Sequence, residues 1–152
     1  MALFRTALTE LAGLNVTGVV HNYDVDAVPD DLSRAQLPAL LVLPVDVEED
    51  VLFRQSGGGF EAVAFADGAR TVVYTATHLL LVAPVSAGAG LRSHLPLLID
   101  LIDDYFAALG DDVTLGGTLL EPVRVRVEPG VFTHGERPYH GCAFRHTWVM
   151  AV

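Results

Sequence analysis

The chain has no lysine: its nine basic residues are all arginine, set against nineteen Asp and Glu for a formal charge of −10. That balance excludes a protein that grips nucleic-acid phosphate, which needs clustered Lys and Arg. There is a single cysteine, Cys142, so no internal disulfide can form and nothing points to an oxidising compartment. No run reaches the roughly 18–20 uninterrupted apolar residues that a membrane helix needs. The opening MALFRTALTELAGL has no basic stretch followed by a continuous apolar one, as a signal peptide would. The expectation is a soluble chain that is intracellular at synthesis. Charged residues make up only 18% and hydrophobic ones 51%, which excludes a disordered chain and leaves an unusually apolar folded one. At 152 residues a single domain over 1–152 is expected, burying roughly two thirds of its unfolded surface. Apolar surface in excess of one core belongs at a subunit interface.

Patterns with chemical meaning are also scarce. His134, His140 and His146 recur every six residues, a spacing that could align three ligands along an extended chain. The segment carrying them also contains Pro129, Gly130, Gly135, Pro138 and Gly141, and no HxH, HExxH or CxxC pattern supports a metal centre. Turn and interface histidines are the plainer reading. Asp24, Asp26, Asp30 and Asp31 form an acidic cluster without EF-hand spacing, which reads as a solvated loop or an Arg-recognising surface. The glycine run Ser56–Gly59 lacks the GxxxxGK[ST] context of a phosphate loop. Cys142 beside His140 or His146, and Ser86 or Ser93 near His94, lack any ordering residue, and no GxSxG elbow is present. No catalytic residue, cofactor or metal is assigned, and the chain is read as a non-enzyme.

What is present is periodicity. Leu3 or Phe4, Ala7 or Leu8, and Leu11 form one face of a short helix ended by Gly13. A strand is expected over Val16 to Tyr23, then a Pro-punctuated acidic loop to Pro38, because Pro29 and Pro38 break any helix. A second strand follows over Ala39 to Val45. Val47 to Phe53 and Phe60 to Phe65 flank the glycine run as a hairpin with a mobile tip, and Asp67-Gly68 signals a tight turn. The run RTVVYTATHLLLVAPV is apolar or small on both sides toward its end. It reads as an interior strand, with helices over one face and an identical neighbour partly covering the other. LRSHLPLLIDLIDDYFAAL repeats Leu91, Leu95, Leu98, Ile102, Tyr105 and Leu109 at helical spacing, with Ser93 as its cap and Pro96 in its first turn. Leu119 to Glu128 places Val123, Val125 and Val127 inward with Arg124 and Arg126 outward. A Pro/Gly-rich connection, EPGVFTHGERPYHG, then leads to a last strand with Cys142, Phe144, His146, Trp148 and Met150 on one side. The fold class is α+β, a mainly antiparallel sheet with two helices on one face.

The opening helix ALFRTALTEL, the segment NYDVDAVPDDLSRAQLPALLVLP, the strand TVVYTATHLLLVAPV and the helix LRSHLPLLIDLIDDYFAAL together resemble the tail terminator proteins of long-tailed bacteriophages, also called tail completion or neck proteins. The resemblance is one of layout across nearly the whole chain. It implies a structural virion protein, made in the host cytoplasm and residing in the neck. Such a protein forms a homohexameric ring on the tail tube protein, ends tube polymerisation and meets the head–tail connector or head-closure protein. DNA would pass through the lumen without specific binding, which the acidic balance suits. Under that reading the interface residues are Asp24, Asp26, Asp30 and Asp31 in one loop; Glu48, Glu49, Asp50, Arg54, Gly57, Gly58 and Gly59 in the next; and Arg124 and Arg126, with the loops ordering on contact. A head-closure or stopper-type adaptor is the neighbouring alternative, and a small α+β ligand- or metal-binding enzyme using the C-terminal histidines the distant one.

Overall fold

The computed structural model describes residues 4–44, 60–64, 70–85 and 91–151. The expected acidic and glycine-rich loop with its hairpin tip, the Asp67-Gly68 turn and the SAGAG bend lie outside them. Among the described residues the order is α1 (Phe4–Ala12), β1 (His21–Tyr23), β2 (Ala39–Leu43), β3 (Phe60–Ala64), β4 (Arg70–Pro84), α2 (Leu91–Gly110), β5 (Arg124–His134) and β6 (Arg137–Ala151). The strands build one sheet in the order β1-β2-β4-β6-β5, with β3 also pairing β4. Only β1 and β2 run parallel. The fold is therefore α+β and mostly antiparallel.

β4 organises the sheet. Its first half pairs β3 and its second half β2 along one edge, while β6 follows nearly its whole length on the other. Strand alternation then sorts the side chains. Ala76, Leu80 and Val82 of β4 join Leu40 and Val42 of β2 and Cys142, Phe144, Trp148 and Met150 of β6 beneath both helices. Ala7, Leu8 and Leu11 of α1 and Leu98, Leu101, Tyr105 and Leu109 of α2 close that core. Phe4 stacks on Tyr74 at 4.1 Å and Tyr105 on Phe144 at 3.7 Å between ring centres. Each large side chain sealed here contributes about 1.5–3 kcal/mol relative to exposure.

The opposite face carries a second cluster, in which Leu79 and Leu81 of β4, Ala143 and Tyr139 of β6, Phe132 of β5 and Leu41 of β2 pack with Leu32. Leu32 belongs to the acidic loop joining β1 to β2, which crosses this face. A neighbouring chain is thus not what covers the second half of β4. The chain's own loop does so, because a parallel β1–β2 pair requires a crossover and Leu32, Val28 and Leu37 give that crossover an apolar underside.

Several boundaries differ from the sequence reading. The first strand is only His21–Tyr23, because Gly18 turns the chain with φ of +87°. α2 begins at Leu91, so Ser93 lies within the helix rather than at its cap, and Pro96 stands past the first turn. Its buried stripe is Leu98, Leu101, Tyr105 and Leu109; Leu95 is 41% exposed. The Pro/Gly-rich connection is not a loop. β5 and β6 run through it with continuous pairing to His134↔Arg137. Gly135 and Glu136, at φ of +57° and +65°, form the two-residue turn that matches the strand twist. Pro129 is tolerated because β5 is an edge strand.

Candidate assembly surface and the buried polar chain

α2 is apolar over more of its circumference than it buries. Adjoining the buried stripe, Leu95, Ile99 and Phe106 form a second line at helical spacing, exposed by 41%, 50% and 44%. Ile102 lies half-buried between the two stripes. On the remaining arc stand Asp100 and Asp103, both exposed. A helix serving one core needs mainly the first stripe, so the second exceeds that need, although Phe106 also sets its ring edge-on to Phe144.

Phe106 overhangs a groove of about 250 Å³ shared with Leu109, Val113, Val123 and Val125. This groove lies between the end of α2 and β5, the outermost strand of the sheet, beyond which no described strand lies. Leu120 and Val131, near and on β5, are also more than half exposed. An apolar helix flank, an apolar groove and an eleven-residue strand edge thus share one side of the molecule. Contiguous apolar surface and an unpaired edge are both features that isolated proteins avoid.

The residues expected to form interfaces are placed as follows. Arg124 and Arg126 lie on β5, pointing away from the helices. Arg124 pairs with Glu121 at 2.9 Å and Arg126 with Glu128 at 3.0 Å, and both arginines remain exposed. Glu128 also accepts from Arg145 Nε at 2.5 Å. The acidic loop is held to the body without any second molecule. Thr9 donates to Asp24 at 3.0 Å, Arg5 pairs with Asp26 at 2.6 Å, and His134 bonds the Pro29 carbonyl at 2.7 Å. Asp30 and Asp31 sit against Gly135, where a Cβ would collide with the Asp30 carbonyl. Glu48, Glu49, Asp50, Arg54 and Gly57 to Gly59 lie outside the described residues.

The three histidines of the six-residue repeat are separated. His134 bonds the acidic loop; His140 lies beside His94 of α2, with ring centres 5.5 Å apart; His146 enters a buried chain of polar groups. In that chain Asn22 donates both amide protons, to the carbonyls of Leu11 at 3.1 Å and Leu14 at 3.2 Å. Its Oδ1 must therefore accept, and His78 Nε2, at 2.8 Å, carries the proton. His78 Nδ1 is then an acceptor, and the Tyr105 hydroxyl donates to it at 2.8 Å. The phenol oxygen in turn accepts from His146 Nε2 at 2.6 Å, and His146 Nδ1 accepts from the Trp148 indole at 3.2 Å.

All four ring nitrogens are paired, with each imidazole neutral and protonated at Nε2. Burial enforces neutrality: it pulls His78 well below the usual imidazole range, helped by His146, and pulls His146 down to about 3. Burial likewise pushes the Tyr105 phenol well above its ordinary value. This network links the end of α1, β1, β4, α2 and β6 inside the core, so it positions those elements relative to one another.

Cys142 is fully buried, and burial pushes its thiol up to about 12, which disfavours the reactive thiolate. Sequence spacing missed the polar chain because its side chains come from four separate elements, β1, β4, α2 and β6. A signal existed: His78, Tyr105 and His146 each fall on an otherwise apolar face, where a polar atom needs a partner. Compared with protein families, with curated proteins and with solved structures, the chain finds no match.

Proposed function

We propose that the chain is a ring-forming structural subunit of the phage tail-terminator type, capping the tail tube and joining it to the head connector. The observation that carries this reading is the apolar flank of α2, Leu95, Ile99 and Phe106, beside the free edge of β5. Burying that side against a different patch of an identical chain makes a heterologous contact, and such a contact repeats until a ring closes. The formal charge of −10 without lysine suits a lumen through which DNA slides without adhering. Arg124 and Arg126 at the rim of the same edge would help choose the neighbour, since rim charges steer partners more than they add affinity.

The test is tube assembly. Adding the chain to polymerising tail tube protein is expected to stop growth and leave a ring on tube ends in negative-stain images. Tubes that lengthen unchecked and carry bare ends would overturn the proposal.

A further inference from the structure

His78 and His146 leave no ring nitrogen unpaired, whereas the half-buried His94 and the buried His140 together leave three. His140 is 94% buried, its exposure being 6%, and neither its Nδ1 nor its Nε2 has a hydrogen-bond partner; His94 Nε2 is likewise buried and unpartnered. The rings belong to the first turns of α2 and the start of β6, with centres 5.5 Å apart and planes tilted by 31°. Buried imidazole nitrogens without partners are rare in native folds, because each has given up water for nothing. Among the described residues no side chain satisfies them, so a group from outside those residues is called for.

We propose that His94 and His140 form a two-histidine binding site for a late transition-metal dication such as Zn²⁺. With metal–nitrogen bonds of about 2.0–2.1 Å, two imidazoles converging on one ion at a near-tetrahedral angle hold their ring centres about 5 Å apart. The observed separation is close to that, so small side-chain adjustments suffice. Neutral imidazole is the ligand that zinc, copper and nickel favour, whereas calcium and magnesium take oxygen.

His94 also lines a pocket of about 350 Å³ with Arg34, Leu37, Pro38, Pro84 and Leu97, although its Nε2 is buried, so an ion enters only if the ring turns toward that pocket. Among the described residues no third His, Cys, Asp or Glu completes the cluster. The remaining coordination positions therefore belong to water or to an incoming donor. Arg34 on the pocket wall favours an anionic one, such as a carboxylate, whose charge it would neutralise. With two protein ligands the site is open, having one fewer than the three that ligand-exchanging zinc centres use, and it is not a closed structural one.

Isothermal titration of the metal-stripped full chain with Zn²⁺ is expected to give saturable binding of one ion per chain. His94→Ala, on the half-buried helix face, is expected to weaken it at least tenfold with the fold intact. His140→Ala should do the same, but His94→Ala decides the matter if His140→Ala fails to fold. His134→Ala serves as the control and is expected to bind as the parent does. Absence of saturable binding, or binding unchanged in His94→Ala, would overturn the site and leave the two rings bridged by water.

Discussion

The hydroxyl of Tyr105 on α2 lies between two imidazoles, donating to His78 Nδ1 at 2.8 Å and accepting from His146 Nε2 at 2.6 Å. One oxygen thereby joins the helix to two adjacent strands, β4 and β6. Its ring stacks on Phe144 at 3.7 Å, so the side chain combines apolar burial with a polar address that only one packing arrangement satisfies.

Tyr105→Phe keeps the ring stack and removes that oxygen. Two buried ring nitrogens then lose their partner, at about 1–3 kcal/mol each. Chemical denaturation is expected to show a loss of about 2–6 kcal/mol, with the far-ultraviolet circular dichroism spectrum unchanged. A loss under 1 kcal/mol would mean that the polar chain is not a determinant of stability.

His78 and His146 of the buried polar network are both depressed in the folded state, His146 to about 3 against an ordinary 6.5. The unfolded chain therefore takes up protons first on acidification. The stability they contribute is present above about pH 6.5 and is lost as pH falls below it, down to about 3 for His146, by about 1.4 kcal/mol per pH unit for each histidine while it stays neutral in the folded chain. Between pH 6.5 and 5 the unfolding free energy from urea titrations is expected to fall at close to twice that slope. In His146→Gln the slope should be roughly halved.

Gly141 faces the Leu80 backbone across β4 and β6, and a Cβ there would overlap the Leu80 carbonyl oxygen. Neither partner is a flexible side-chain end, so the strands must separate. Gly141→Ala is expected to cost more than about 3 kcal/mol or to abolish soluble expression. Gly117→Ala, where nothing lies within 4 Å of the added atom, meets only the strain of its positive φ and should cost about 1–2 kcal/mol.

Cys142 is fully buried with its thiol pushed up to about 12. At pH 8 the native protein is expected to be inert to a thiol-specific disulfide reagent and to react fully in denaturant. Rapid reaction of the folded chain would show that the β6 core opens readily.

Much of the fold was legible because strong periodicities dominated it. β4, β6 and α2 were readable from alternation and from leucines at helical spacing. The stripe on α2 was displaced by a residue because the helix is apolar on two adjoining arcs, and sequence alone does not say which one meets the sheet; Leu95 and Leu101 exchanged places for that reason. The β5–β6 hairpin was obscured by Pro129, Gly130 and Pro138, which an edge strand and its turn tolerate. The proposed assembly surface was legible only as a surplus of apolar residues. Locating it required knowing that Phe106, Val123 and β5 share one side. The pairing of His94 with His140 was invisible, since 46 positions and a helix-to-strand change separate them.

The central claim is that the α2 flank beside β5 is an interface between identical chains. Phe106→Glu places a charge on that flank at a side chain already 44% exposed, so the fold should survive it. Native mass measurement at micromolar concentration tests the claim most directly. The parent chain is expected to form a closed particle of about six subunits, and Phe106→Glu a folded monomer. A parent that remains monomeric, or a ring that Phe106→Glu leaves intact, would contradict it.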